Sequence, residues 1–306
     1  MKKFDLITIL GPTATGKTKF AVRLAQQLNG EIISADSRQV YRNMDIGTGK
    51  DIEEYNYNEE VIPYHLVDIV NPGSEYNVYS FQHDFLEAFK NINLREKQPI
   101  MCGGTGMYIE SVLMGYRMKK VPENKNLRIL LSEKSLKELT EILKSYGPVH
   151  NVTDISDKNR CIRAIEIKKY DLEHPDDEKF PELSSLNIGI KLERQEVKKR
   201  ITMRLKERLE NGLIEEVVSL LNSGLQPQQL LFYGLEYRFV TQYVTRKIDY
   251  STMFEKLNIA IHQFSKRQMT WFRRMEKRGI KIHWLDGNLS EDEKVKQCLL
   301  ILENNK

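Results

Sequence analysis

The chain has 306 residues, of which 40% are apolar and 29% are charged, a composition typical of a folded globular protein with a sizeable core. No apolar run approaches the roughly 20 residues of a membrane helix, the N-terminus does not resemble a secretory signal, and the three scattered cysteines argue against a disulfide framework or a cysteine zinc site. We therefore expect a cytoplasmic protein without a membrane anchor, and the net charge of +4 is compatible with a nucleic-acid partner.

The first predicted strand is the apolar run 4–10, which Gly-Pro ends. A helix is predicted at 17–28, because apolar residues recur there at helical spacing before the stop signal Asn29-Gly30. Later strands are predicted at 31–36, 98–102, 187–192 and 281–285. Strands that alternate with helices predict an α/β fold around a mostly parallel sheet.

The character of the chain changes between residues 116 and 186. The segments 127–145 and 156–170 are amphipathic and charged, and no strand pattern is evident. We predict a helical insertion at 116–186, carried by an α/β core that consists of residues 1–115 and 187–306.

The segment between the first strand and the first helix reads GPTATGKT and fits the P-loop pattern G-x-x-x-x-G-K-[ST]. In such a loop, backbone N–H groups and the helix N-terminus bind phosphate oxygens, the lysine adds positive charge, and the final hydroxyl holds Mg²⁺. The predicted phosphate-binding residues are Gly11, Pro12, Thr13, Ala14, Thr15, Gly16, Lys17 and Thr18, with Thr18 as the metal ligand. The sequence therefore predicts a P-loop NTPase-like core that binds an oligophosphate.

A P-loop does not identify the phosphate compound. Nucleotide-hydrolysing enzymes normally also have an apolar strand that ends in a magnesium-binding aspartate. Asp68 is the best candidate, but the apolar run before it is very short. Nothing in the sequence demands ATP hydrolysis.

Two segments are strongly basic. Residues 191–208 carry eight basic and three acidic side chains, and residues 266–281 carry seven basic and one acidic. A charge run alone usually indicates a solvated helix face. Together with a phosphate-binding loop, the two runs favour an RNA-binding surface.

The chain resembles the bacterial tRNA dimethylallyltransferases, also called tRNA isopentenyltransferases, over nearly its whole length. The resemblance rests on seven blocks in the family's order: GPTATGKT at 11–18, ISADSRQVYRNMDIGTGK at 33–50, PYHLVDIVNP at 63–72, GGTGMYI at 103–109, KNRCIRAIEI at 158–167, RITMRL at 200–205 and KRQMTWFRR at 266–274. The segment 232–238 departs from the family pattern, and the insertion is short. We expect these departures to affect how tRNA is bound and not the chemical reaction.

The resemblance implies that a dimethylallyl group is transferred from dimethylallyl diphosphate to N6 of adenosine 37, which follows the anticodon, in tRNAs that read codons beginning with U. The implied cofactor is Mg²⁺, and the implied partner is the anticodon stem-loop of tRNA. We expect a monomer. Such a reaction needs an anion cradle, a base near the amine and the exclusion of water.

Three residues receive catalytic roles from the resemblance. Asp36 ends the second strand, at the sheet edge where α/β proteins bind ligands, and it corresponds to the base that accepts the amine proton; the alternative is a residue that caps the turn. Thr105 corresponds to a contact with the diphosphate and the target nucleotide, with a turn hydroxyl as the alternative. Arg200 corresponds to a diphosphate contact, with an exposed helix charge as the alternative, which is also what we expect of most neighbouring basic residues.

A target adenine must leave the stacked loop to be modified, and RNA loops are bound by arginine, aromatic and polar side chains. The predicted tRNA contacts are Asp36, Ser37, Arg38, Gln39, Asn159, Arg160, Arg163, Lys266, Arg267 and Gln268. Trp271 and Phe272 offer stacking surfaces, but apolar residues lead toward them at helical spacing, which favours core packing.

Two other classes fit a P-loop. A nucleotide kinase, or an enzyme that prenylates free adenine nucleotides, predicts activity on AMP or ATP without RNA. A non-catalytic or NTP-driven RNA-binding module predicts that loss of the Asp36 carboxylate leaves function intact.

Overall fold

A computed structural model of the chain describes residues 4–147, 155–175 and 180–304. The chain forms two compact units, one of Met1–Tyr116 with Glu182–Lys306 and the other of Arg117–Pro181. The smaller unit begins one residue after and ends five residues before the insertion predicted at 116–186. Among the described residues, no helix combines the length and apolarity that crossing a membrane demands.

The larger unit is built on a six-stranded sheet. The strands of this unit are β1 (Leu6–Leu10), β2 (Gly30–Ala35), β3 (Asn56–Tyr57), β4 (Glu60–Val61), β5 (Tyr64–His65), β6 (Gln98–Gly103), β7 (Ser185–Lys191) and β8 (His283–Asp286). The sheet has the order β5-β2-β6-β1-β7-β8 with all neighbours parallel, and β3 and β4 form a separate antiparallel hairpin. The predicted α/β fold and its five predicted strands are confirmed.

Helices cover both units. In the described residues they are α1 (Lys17–Leu28), α2 (Val78–Leu94), α3 (Gly106–Leu113), α4 (Lys125–Ser132), α5 (Leu136–Ser145), α6 (Lys158–Glu173), α7 (Arg194–Glu210), α8 (Leu213–Asn222), α9 (Pro227–Leu230), α10 (Leu235–Val244), α11 (Tyr250–Lys277) and α12 (Glu291–Asn304). Strands β3, β4 and β5 were not predicted, because two residues are too few to show an alternation pattern.

Two apolar clusters stabilise the larger unit. All five residues of β1 are buried, as expected for a central parallel strand with helices on its faces, and Phe20 and Leu24 of α1 pack in the same cluster. A second cluster joins α7, α8, α10 and α11 through residues such as Leu205 and Leu257. The carboxyl ends of β1, β2 and β6 share one edge of the sheet because these strands are parallel.

The smaller unit consists of α4, α5 and α6 around its own core, whose buried residues are Leu131, Leu139, Leu143, Cys161, Ile162 and Ile165. Glu166 of α6 is buried beside this core and accepts hydrogen bonds from Arg128, Arg163 and the backbone of Asn124. Burial acts to raise the pKa of Glu166, but these bonds outweigh it and hold the pKa at about 2. A charged carboxylate therefore ties α4 to α6.

Candidate active site

The carboxyl ends of the central strands open into a cleft of about 1110 Å³ in the larger unit. The loop after β1, the turn after β2 and the turn after β6 form its floor, and α7, α11 and the segment 231–238 contribute to its walls. The predicted site residues that line it are Thr13, Ala14, Thr15, Gly16, Lys17, Thr18, Asp36, Ser37, Arg38, Gln39, Thr105, Arg200, Arg267 and Gln268. This edge is where open α/β sheets bind ligands.

The loop 11–16 has the internal bonds of a phosphate-binding turn. The carbonyl oxygen of Pro12 accepts bonds from Thr15 Oγ1 at 2.9 Å and from Lys17 Nζ at 2.6 Å. A Cβ added to Gly11 would lie 2.5 Å from the carbonyl oxygen of Ile190, so only glycine allows this close approach to β7. Among the described side chains none caps the first turn of α1, which leaves its N–H groups available to an anion. Gly11 and Pro12 do not line the cleft themselves, but their contacts stabilise the loop whose later residues do.

Two cations lie beside this loop. Burial is the main cause that lowers the pKa of Lys17 to about 8, and the charge of Arg204 lowers it further. Burial also lowers the pKa of Arg204 to about 10. Both groups remain protonated at neutral pH, whereas burial raises the pKa of the Cys102 thiol to about 12 and keeps it neutral. The electrostatics of the loop therefore favour an anionic ligand.

The turns after β2 and β6 are joined by a hydrogen bond. Ser37 donates its backbone N–H to Thr105 Oγ1 at 3.0 Å. Asp36 Oδ1 accepts the N–H of Arg38 at 2.8 Å, so Asp36 caps the turn and lines the cleft at once. Thr105 is the N-cap residue of α3, yet in the described chain its hydroxyl bonds to Ser37 rather than to that helix. The turn cap that Asp36 forms is therefore compatible with its predicted role as the base.

The side-chain amides of Gln39 and Gln268 are engaged inside the protein. Gln39 donates to the carbonyl oxygen of Gly49 at 2.9 Å. Gln268 is only 7% exposed; its Oε1 accepts the N–H of Thr13 and its Nε2 donates to the carbonyl oxygen of Gly104, both at 2.9 Å. Gln268 thus connects the P-loop to the turn after β6, and its contact with tRNA stays a prediction.

Three arginines form a stripe on α7 that faces the cleft. Arg200, Arg204 and Arg208 all line it, and Arg204 donates to the hydroxyl of Thr13 in the P-loop. Only Arg200 was predicted to bind the substrate; most neighbouring basic residues were expected to be exposed helix charges, and Arg204 and Arg208 are exceptions to that expectation. Their four-residue spacing, which places side chains on one helix face, was the signal in the sequence.

The cleft also contains acidic side chains that were not predicted from the sequence. Glu54 and Glu236 line it, and burial raises the pKa of each carboxyl. Glu236 and Asp51 approach the guanidinium of Arg208 at 4.0 and 3.8 Å. These carboxylates orient the cationic stripe and limit its net charge.

The other predicted tRNA contacts lie outside the cleft. Lys266 is exposed on α11, and Asn159 and Arg160 are exposed on α6 in the smaller unit. Arg163 instead binds Glu166 and the carbonyl oxygen of Val121 within that unit.

Asp68, the weak candidate for a nucleotide-hydrolysis metal ligand, is not among the cleft residues. Its carboxylate binds the ammonium group of Lys50, which is almost fully buried and also bonds to Asp45 at 2.6 Å. Asp68 therefore stabilises the loop after β2.

Aromatic side chains occupy different positions around the cleft. Phe272 is fully buried, which confirms core packing, whereas Trp271 lies against Gly106 and lines the cleft. Phe232 is 76% exposed and Phe264 38% exposed although both line the cleft. Exposed rings beside cationic side chains are typical of surfaces that bind unstacked bases.

The cleft also contains oxygen atoms that suit a hard divalent cation. Glu291, the first residue of α12, has its Oε1 3.8 Å from the Cβ position of Gly16 and accepts a bond from Lys294 at 2.8 Å. Its Oε2 is buried without a hydrogen-bond partner among the described residues. Hydroxyl and carboxylate oxygens are the ligands that Mg²⁺ prefers, so Thr18 and Glu291 fit such an ion.

Comparisons with known proteins agree with this geometry. A family model described as IPP transferase matches residues 39–275, and one described as isopentenyl transferase matches residues 4–59. The proteins named tRNA dimethylallyltransferase 2 in Bacteroides fragilis and in Phocaeicola vulgatus are 56% and 54% identical over 296 and 304 residues; the alignments cover 96% and 99% of this chain and 97% and 99% of the relatives. The crystal structure of the full-length tRNA isopentenylpyrophosphate transferase from Bacillus halodurans is similar to this chain, with a TM-score of 0.71 and 30% sequence identity. The alignment covers 99% of this chain and 96% of the Bacillus halodurans chain.

Proposed function

This chain belongs to the IPP transferase family, and from this premise we propose that it is a tRNA dimethylallyltransferase. The reaction transfers a dimethylallyl group from dimethylallyl diphosphate to N6 of adenosine 37, next to the anticodon, in tRNAs that read codons beginning with U. The observation that carries the proposal is the meeting of the P-loop, Asp36 and Thr105 in one cleft with an arginine stripe along its wall.

The bond changes define what the cleft must do. A bond forms between N6 of adenine and C1 of the dimethylallyl group, the bond from C1 to the diphosphate oxygen breaks, and N6 loses a proton. The amine is a poor nucleophile because its lone pair is delocalised into the ring. Catalysis therefore needs stabilisation of the departing diphosphate and a base beside N6.

The diphosphate is held by the loop 11–18 and its cations. The N–H groups at the start of α1 and the ammonium of Lys17 bind the phosphate oxygens, while Arg200 and Arg204 approach from α7. Arginine forks suit phosphate oxygens because they donate two parallel hydrogen bonds. Thr18 and Glu291 would hold Mg²⁺, which would neutralise negative charge on the diphosphate.

Asp36 is the base in this proposal. Its Oδ1 is oriented by the N–H of Arg38, and this bond leaves the carboxylate further acceptor capacity for the proton of N6. Thr105 is fixed by Ser37 beside the base, where its hydroxyl lies close to both substrates.

Recognition of tRNA uses the cleft rim and the insertion. The flipped adenine enters next to Ser37, Arg38 and Gln39, and the exposed rings of Phe232 and Phe264 stack on unpaired bases of the anticodon loop. Further contacts with the anticodon stem-loop come from Arg267, Gln268 and Lys266 on α11 and from Asn159, Arg160 and Arg163 in the insertion. Of these, Gln268 and Arg163 have the least freedom, because their side chains already bind the protein.

The experiment is nucleoside mass spectrometry after an unmodified tRNA with adenosines at positions 36 and 37 is incubated with the protein, Mg²⁺ and dimethylallyl diphosphate. We expect a dimethylallyl mass gain on adenosine that Asp36→Ala abolishes or severely reduces. A prenylated product from free AMP, with none from the tRNA, would assign the chain to the small-molecule enzymes. Full activity of Asp36→Ala would remove the base assignment.

A further inference from the structure

Glu110 of α3 is a fully buried carboxylate outside the cleft, with a relative exposure of 0%. It accepts hydrogen bonds of 2.6 Å from Nη2 of Arg274 and from Nη1 of Arg278. Arg278 also donates to the hydroxyl of Tyr116 at 2.5 Å. Removal of a carboxylate from water is costly unless such partners compensate it, so Glu110 holds both arginines firmly and thereby fastens α3 to the end of α11.

The same face of α11 reaches the cleft. Gln268 and Trp271 precede Arg274 by six and three residues, which places all three side chains on one side of the helix. Gln268 binds the carbonyl oxygen of Gly104 and the N–H of Thr13. The ring of Trp271 lies so close to Gly106 that any side chain at that position would overlap it.

Arg274 connects the buried carboxylate to this aromatic wall. Its guanidinium lies 3.9 Å from the ring centroid of Trp271, close enough for a cation–π interaction, while its Nη2 is bonded to Glu110. Arg278 shares the carboxylate but is bonded to Tyr116 instead. The two arginines therefore make equal bonds to Glu110, and Arg274 alone of the pair stacks on the tryptophan.

We propose that Glu110 is a positioning residue of the cleft, which acts through Arg274 and Trp271 to fix the turn that carries Thr105. The proposal rests on the proposed function, because the groups that Glu110 would hold in position are Thr105 and the P-loop. Glu110 touches no substrate: its carboxylate holds Arg274 in place, Arg274 holds the indole, and the indole and Gln268 together hold the turn 104–106 against the P-loop. Displacement of reacting groups by about 1 Å costs on the order of a hundredfold in rate, so a remote carboxylate is able to control the chemical step.

The test compares Glu110→Gln with Glu31→Gln. Glu31 is likewise buried and is hydrogen-bonded by two side chains, those of Arg95 and His65. It lies near the amino end of β2, away from Asp36, and does not line the cleft. Both changes remove one buried charge and keep the side-chain volume. We expect the two proteins to lose similar amounts of Tm, while the single-turnover prenylation rate at saturating substrates falls at least about tenfold in Glu110→Gln and stays within about twofold of the wild type in Glu31→Gln. Equal rates in the two variants would overturn the proposal.

A second pair of variants keeps the proposal testable if Glu110→Gln does not fold. Arg274→Gln and Arg278→Gln each remove one bond to Glu110, and we expect the rate to fall more in Arg274→Gln, because that arginine also stacks on Trp271. A larger effect of Arg278→Gln would contradict the proposed route.

Tryptophan fluorescence separates the positioning role from the assigned activity. The chain has two tryptophans, so Trp284→Phe leaves Trp271 as the reporter. In this background we expect Glu110→Gln to shift the emission of Trp271 to longer wavelength and Glu31→Gln to leave it unchanged. An unchanged spectrum in Glu110→Gln would overturn the proposal even in an active enzyme. Absence of tRNA prenylation by the wild type would refute the proposed function and leave this spectroscopic test intact.

Discussion

The backbone N–H of Ser37 donates a 3.0 Å hydrogen bond to the hydroxyl oxygen of Thr105. Ser37 directly follows Asp36 after β2, and Thr105 follows β6, which pairs with β2 in parallel. The bond therefore links the turns that follow the carboxyl ends of two neighbouring strands. The position of the proposed base, Asp36, therefore depends on a hydroxyl that lies 68 residues after its neighbour Ser37 in sequence.

Replacement of Thr105 by valine removes this acceptor while the shape of the side chain is nearly kept. We expect kcat for tRNA prenylation to fall by about ten- to a hundredfold, and the free energy of unfolding to fall by only about 1 kcal/mol. Single-turnover kinetics and thermal unfolding measure the two quantities. Thr105→Ser, which keeps the hydroxyl, is the control and should retain most of the rate; a wild-type kcat in Thr105→Val would show that the bond is not required.

The pKa of Lys17 predicts a pH dependence of diphosphate binding. Since burial lowers this pKa to about 8, the ammonium is charged at neutral pH and loses its proton as the pH rises through 8. We expect the Kd for dimethylallyl diphosphate to increase from about pH 7 to about pH 10, which isothermal titration calorimetry measures. In Lys17→Arg the guanidinium stays protonated over more of this range, so the increase should be smaller. A flat Kd in the wild type would contradict a charged Lys17 contact.

Gly49 is a position where glycine is required for two reasons. Its φ of +63° lies in the left-handed region, and an added Cβ would overlap the guanidinium of Arg208. Gly224 has a φ of +101°, but no atom of the described residues lies within 4 Å of the added Cβ. We expect Gly49→Ala and Gly224→Ala each to lose about 1 kcal/mol of stability from backbone strain, but only Gly49→Ala to lose prenylation activity, because it displaces Arg208. Normal activity of Gly49→Ala would exclude a functional role for the position of Arg208.

The arginine stripe predicts different effects for two cations of the same helix. Arg204 lines the cleft and binds Thr13, whereas Lys199 is exposed outside it. We expect Arg204→Ala to raise KM for dimethylallyl diphosphate by about tenfold or more, as loss of a charge-assisted hydrogen bond implies, and Lys199→Ala to change it less than about twofold. Similar KM values in both variants would mean that the stripe acts only through net charge.

The parts of the molecule predicted from the sequence are those in which the determining residues are consecutive. The run 4–10 is largely apolar because it contains β1, which is buried on both faces, and the P-loop is recognisable because all of its residues are adjacent in the chain. In contrast, β5 contributes only two residues to the sheet. Two residues show no alternation of apolar and polar side chains, so β5 forms because it pairs with β2 and its own sequence does not predict it.

The same distinction explains the candidate site. Arg204 and Gln268 bind Thr13 across 191 and 255 residues of sequence, and no local pattern specifies such a contact. Both residues lie in basic segments, from which a tRNA contact is predicted for Gln268 and exposure is expected for most basic residues near Arg200. The contacts of both side chains with Thr13 depend on how α7 and α11 pack against the sheet, which the local sequence does not specify.

The bond between Thr13 and Gln268 also has a consequence for biosynthesis. A ribosome adds about 5 to 20 residues per second, so α11 follows the P-loop by roughly 10 to 50 s, given the separation of 255 residues. Until α11 has been synthesised, the nascent P-loop lacks the side chain of Gln268 that accepts the N–H of Thr13. We therefore expect a ribosome-bound fragment that ends before α11 to have an incomplete phosphate-binding loop, because the contacts of Gln268 with Thr13 and Gly104 are missing from it.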